Sequence, residues 1–185
     1  MQSQSGVARP VLIVPGLDNS GPEHWQTQWE EVHGYTRVVQ DDWQRPALPG
    51  WLARLSAAVA AAPQPVLLAA HSLGCALVAH FACRHLELRA RIAGALLVAP
   101  ADVEDPQCTP DCVRCFAPLP LGPLGFPATL IASRDDPFAR FARAQHFAER
   151  WGAHFVDAGA LGHINAESAL GRWDEGHRWL ERLAS

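Results

Sequence analysis

Several things are scarce in this chain, and each scarcity removes a class of function. No run of Lys and Arg marks a basic patch, and the formal charge of -4 offers nucleic acid nothing to neutralise. The apolar runs stop at about seven residues, far short of the ~20 that span a bilayer. The opening stretch MQSQSGVARP lacks the charged start and apolar h-region of a signal peptide, so a soluble, cytoplasmic protein is expected. Neither G-x-G-x-x-G nor G-x-x-x-x-G-K-[ST] occurs, which removes the usual phosphate cradles. There is no internal repeat and no low-complexity linker. Five cysteines in a reducing setting are expected to stay unpaired.

What is present is a hydrophobic share of 49% over 185 residues, enough to bury one substantial core in a single domain spanning 1–185. Short apolar runs recur at 11–14, 35–39, 66–70, 92–98, 128–132 and 154–156. Most are continuously apolar, as strands covered on both faces of a parallel sheet should be. Between them lie segments of helical spacing. Trp25, Trp29 and Val32 follow a Ser20-Gly21-Pro22-Glu23 start that reads as a capping box. Leu52, Leu55, Val59 and Ala62 form a second stripe, ended by Pro63 and Pro65. Leu73, Leu77, Phe81 and Ala82 form a third, with Cys75 and Cys83 as small core residues on it. Phe141, Ala144, Ala148 and Trp151 run up to a Gly152 stop, and Trp173, His177, Leu180 and Leu183 make the last.

This alternation predicts an α/β/α three-layer sandwich around a mostly parallel sheet of about six strands. Its chemistry should gather beyond the carboxyl ends of those strands. Residues 101–126 break the pattern. They are rich in proline, carry three cysteines and show no period, so they read as a long irregular loop over the site.

Three chemical positions fall where that rule puts them. Ser72 lies between the strand Val66–Ala70 and the helix beginning at Leu73, the strand–turn–helix setting of a nucleophile elbow, with Gly74 allowing close packing and Ala70 in the first glycine's place. A serine there also suits a helix cap. The cap reading explains nothing further, whereas the helix N-terminus would stabilise an oxyanion. His163, in a loop after the last strand, is the best-placed base. His71, next to the serine, is given a supporting or structural role. Asp135 and Asp136 follow the fifth strand and compete to orient the base. Asp136 is preferred because it directly precedes Pro137, leaving Asp135 to anchor the loop; both as plain turn residues is the bland alternative. The chain order Ser72, Asp136, His163 is that of the α/β-hydrolases. The loop after the first strand, with Gly16, should supply one oxyanion N–H from Leu17, and Leu73 the other.

Val14-Pro15-Gly16, Glu23-His24-Trp25 with Trp29, Asp42-Trp43, His71-Ser72-Leu73-Gly74, Asp135-Asp136-Pro137 and Gly162-His163-Ile164-Asn165 recur in matching order. Together they resemble the small serine hydrolase family of retinoblastoma-binding protein nine and YdeN, over nearly the whole stretch from Val11 to Leu183. The resemblance implies a minimal α/β-hydrolase fold and a triad of Ser72, Asp136 and His163. It implies carboxylesterase-like hydrolysis of a small-molecule ester, without metal or organic cofactor, by a monomer or small homo-oligomer. The retinoblastoma partner does not carry over, because no L-x-C-x-E motif is present.

Two rival readings remain. Cys108, Cys112 and Cys115 have the C-x₃-C-x₂-C spacing of a cluster loop, though three free thiols are the simpler expectation. A non-enzymatic interaction scaffold on the same fold is the other, with no residue pattern of its own to support it.

Overall fold

The computed structural model describes residues 9–185, so the polar start at 1–8 lies outside the described residues. Six strands form one sheet in the order β2-β1-β3-β4-β5-β6. They are β1 (Val11–Val14), β2 (Thr36–Arg37), β3 (Val66–His71), β4 (Ile92–Val98), β5 (Ala128–Ala132) and β6 (His154–Asp157). Every pairing is parallel, which goes beyond the mostly parallel sheet expected.

The helices are α1 (Trp25–His33), α2 (Leu48–Ala61), α3 (Leu73–Arg84), α4 (Phe141–Trp151) and α5 (Asp174–Ala184). Because side chains alternate across a strand, each strand feeds two cores. Leu12, Leu68, Leu97 and Leu130 meet α2, α3 and α4 on one face. Val11, Ile13, Leu67 and Leu96 meet α1 and α5 on the other. The result is the three-layer sandwich, in which the inner strands β1, β3, β4 and β5 are covered on both faces and the edge strands β2 and β6 stay partly exposed.

The topology locates the site. From β1 the chain steps to β2 on one side, then returns to place β3 on the other. A crevice opens where the order reverses, beyond the carboxyl ends of β1 and β3. Gly16 and Ser72 lie just past those ends. Buried Gln26 bridges the same two strands, its amide N–H groups donating to Val14 O at 3.3 Å and Ala69 O at 2.9 Å.

Several local expectations need correction. The second strand is shorter than residues 35–39: the paired register ends at Arg37, Val38 gives one more N–H to Ile13 O at 2.9 Å and turns its side chain into the core, and Val39 stays 62% exposed. Helix α1 begins at Trp25, with His24 as its cap, Nδ1 accepting from Gln26 N–H at 3.1 Å. Ser20 is no capping residue, since its hydroxyl donates to the Gln26 side chain at 2.6 Å. Val32 is 45% exposed, because α1 packs through the indoles of its first two turns. Cys83 is exposed, while Cys75 is core as expected.

Residues 101–126 are also more ordered than the irregular loop the composition suggests. Asp111–Phe116 forms a 3-10 turn, and Val103, Val113, Phe116, Leu119 and Leu124 are buried in the α2–α4 core. Polar bonds fix the rest: Thr109 Oγ1–H donates to Asp102 O at 2.8 Å, Arg114 donates to Val103 O at 2.8 Å, and Arg143 of α4 pairs with Asp102 and Glu104. His80 Nε2–H donates to Phe116 O at 2.7 Å, tying the turn to α3. Proline removed the helical period from this segment, but its apolar residues still found the core.

Candidate active site

Ser72 sits between β3 and α3 at φ 56, ψ -120, a backbone state that costs an L-residue about 1–3 kcal/mol and persists only where the surroundings over-determine it. Two glycines allow this. A Cβ on Gly74 would come within 2.2 Å of Val14 O, and one on Gly16 within 3.0 Å of His71 O and Leu73 N. The β1 loop and the elbow therefore touch backbone to backbone, with Ala70, fully buried, beneath them. Only glycine allows that approach at Gly74.

The contact shapes a pair of donors. Asp18 and Asn19 both have positive φ, and Asn19 N–H bonds back to Gly16 O at 3.2 Å. That turn leaves the N–H of Leu17 with no acceptor among the described residues, and Leu73 N–H, at the first position of α3, has none either. Both residues line the cavity in front of Ser72.

The structure brings the three distant side chains together. Ser72 Oγ lies 2.9 Å from His163 Nε2, and His163 Nδ1 lies 2.9 and 3.0 Å from the two oxygens of Asp136. A carboxylate only accepts, so Nδ1 carries the proton and Nε2 presents a lone pair to the serine hydroxyl. Asp136 is 4% and His163 8% exposed in their side chains. Phe138 N–H donates to Asp136 Oδ1 at 2.9 Å and fixes the carboxylate.

Asp135 has a different task. Its Oδ1 accepts from Gly162 N–H at 2.8 Å and from Ser133 Oγ–H at 2.7 Å, while Ser133 Oγ in turn accepts from Leu161 N–H. These bonds hold its carboxyl below the usual range, the Ser133 hydroxyl first and the Gly162 amide next. The adjacent acids thus divide the work: one meets the imidazole, the other staples the loop carrying it.

His71 is 5% exposed, and its Nε2–H donates to the backbone O of His163 at 2.9 Å. His24 packs edge-on against it, ring centres 4.6 Å apart, and is 4% exposed. Burial, then the neighbouring His163 and Arg37, pushes the His24 pKa down to about 3. His71 is driven well below the usual range, by burial first and then by His24 and His163. Both rings are neutral near neutral pH: His71 donates from Nε2, whereas His24 accepts at Nδ1 and its buried Nε2 has no partner among the described residues. His24, Trp25 and Ser133 were not singled out for the site. Buried Trp25 carried a usable signal, because an indole N–H in a core needs an acceptor.

The cavity has a volume of about 500 Å³. Ala101, Pro110, Val113 and Phe138 give it an apolar wall, three of them from the 101–126 segment, and exposed Asp18 and Glu167 also line it. The cysteines stand apart. Cys108, Cys112 and Cys115 are free thiols, and Cys115 donates to Pro46 O. Among the described residues no cluster of three His, Cys, Asp or Glu side chains has the arrangement to hold a metal ion. No described helix is long and apolar enough to cross a membrane.

A parallel sheet of this order, with a strained serine between β3 and α3 and a histidine brought to it from beyond β6, defines an α/β-hydrolase fold. The family model for "Serine hydrolase" matches residues 11–182. The chain belongs to that serine hydrolase family, and its function is hydrolytic. It is similar to a YdeN-like hydrolase from Pectobacterium atrosepticum, at 36% identity and a TM-score of 0.81, covering 95% of this chain and 88% of that one. The ydeN gene product of B. subtilis shares 22% identity at a TM-score of 0.75, covering 95% and 98%. A thermophilic esterase from Thermogutta terrifontis shares the fold at 16% identity and a TM-score of 0.67, covering 97% and 92%. No curated protein sequence matches.

Proposed function

We propose that the protein is a single-domain serine esterase, acting in the cytoplasm on small uncharged carboxylic esters through an acyl-enzyme on Ser72. The hydrogen-bonded line from Ser72 Oγ through His163 to Asp136 carries this reading. His163 Nε2 takes the hydroxyl proton as Oγ attacks the ester carbon, and Asp136 stabilises the imidazolium that forms. The N–H groups of Leu17 and Leu73 receive the oxyanion, each donor of this kind being worth about 10²–10³ in rate. Collapse of the tetrahedral adduct expels the alcohol, protonated by His163. Water, deprotonated by the same nitrogen, then releases the acid and frees Ser72.

The cavity lining supports the substrate class. Asp18 and Glu167 repel an anionic acyl chain, while the Ala101–Pro110–Val113–Phe138 wall accepts a short apolar one. A fluorophosphonate probe should label the wild type and not Ser72→Ala. Among 4-nitrophenyl esters, acetate and butyrate should be turned over faster than the hemisuccinate. A folded wild type that neither reacts with the probe nor cleaves any ester ends the proposal, and equal rates on neutral and anionic esters remove the substrate class alone.

A further inference from the structure

His163 stands on a strained arch. Gly162 has φ 59 and Ile164, a fully buried β-branched residue, has φ 49, a conformation such residues adopt only when held. Three elements hold it. Asp135 binds the N–H of Gly162 from below. Two buried ring donors bind successive carbonyls from the other side: His71 Nε2–H on His163 O at 2.9 Å, and Trp25 Nε1–H on Ile164 O at 2.8 Å. Neither donor's fold role requires this. His71 ends β3 and Trp25 begins α1, and the two rings sit 6.1 Å apart, nearly perpendicular.

We propose that His71 and Trp25 are positioning residues whose ring N–H groups hold the Gly162–His163–Ile164 arch so that the His163 imidazole stays in line between Ser72 and Asp136. The inference rests on the reading of His163 as the base. The geometry is redundant with no other bond to these two carbonyls among the described residues. The His71 ring also lies 4.7 Å from the His163 ring at a tilt of 59°, so it packs against the imidazole as well as holding its backbone. His24 keeps this arrangement in place: it caps α1 one residue before Trp25 and packs edge-on against His71. Loss of either donor lets the arch relax toward an unstrained backbone, and a displacement near 1 Å at a reacting nitrogen costs about 100-fold in rate.

The test compares His71→Phe, His71→Gln and Trp25→Phe with the wild type on 4-nitrophenyl acetate, at a temperature where circular dichroism shows each folded. His71→Phe should lower kcat about 10–100-fold with KM within about twofold. His71→Gln, whose amide N–H lies as far along the side chain as Nε2, should restore most of that loss, which a packing defect would not do. Trp25→Phe keeps an aromatic ring, removes the N–H and should lower kcat at least about fivefold. If His71→Phe does not fold, the other two variants decide. Unchanged kcat in Trp25→Phe, a His71→Gln as slow as His71→Phe, or a loss confined to KM overturns the inference. A wild type inert to esters and to the fluorophosphonate probe instead overturns the esterase reading beneath it.

Discussion

Acid should destabilise this fold through His24 in a way that one substitution can isolate. In the folded chain His24 is 4% exposed, and its pKa is pushed down to about 3, chiefly by burial. In the unfolded chain it returns to its ordinary 6.5. Between those values the unfolded state binds the extra proton, so stability is complete above about 6.5 and drains away as the pH falls through the window. At pH 5 the linkage comes to about 2 kcal/mol from this residue alone, against a typical total of 5–15 kcal/mol. His71 titrates in the same direction and adds to the loss.

The informative variant is His24→Asn. It removes the titration, yet its side-chain oxygen can still accept from Gln26 N–H as the α1 cap. Urea unfolding at pH 7 and pH 5 should show the wild type losing about 2 kcal/mol more than the variant between the two conditions. Equal losses would refute the argument, because they would mean that His24 takes up its proton inside the fold without cost.

Two further expectations concern the elbow and the paired acids. Asp136→Asn should lower kcat by about 10⁴, the scale seen when an orienting carboxylate becomes an amide. Asp135→Asn keeps an oxygen for Gly162 N–H and should lower kcat less than about tenfold, so steady-state kinetics of the pair tests which acid meets the imidazole. Gly74→Ala must push Val14 O away from a 2.2 Å contact and should cost about 1–3 kcal/mol, read as a lower Tm in thermal unfolding.

Legibility followed the range of the interactions. Four of the six strands stand where continuous apolar runs put them, because a parallel strand buried on both faces imprints its whole length on composition; β6, half-exposed at the other edge, was found from its short run at 154–156 alone. The second, at the sheet edge, was overestimated: Val38 and Val39 are as apolar as any strand, but the paired register ends at Arg37 and Val38 adds only one further N–H bond, to Ile13 O. Ser72, Asp136 and His163 were readable because each lies just past a strand end, where topology concentrates chemistry. The capping of α1 was misread because a histidine ring nitrogen does the work usually done by a hydroxyl. The bonds from Trp25 and His71 to the histidine arch join residues 139 and 92 positions apart, and no local period encodes such a contact.

Helix α1 reaches past the arch as well. Trp29, one turn beyond Trp25, donates its indole N–H to Arg172 O, so Ile164 and Arg172 are each pinned to the same short rod. The stretch between them includes Asn165, Ala166 and Glu167, which border the cavity mouth. Within that stretch Ser168 Oγ–H still donates to Leu161 O and Asn165 caps the turn that follows it, so Ala166 and Glu167 are the two positions where a new selectivity could be grafted without touching the bonds that hold the arch.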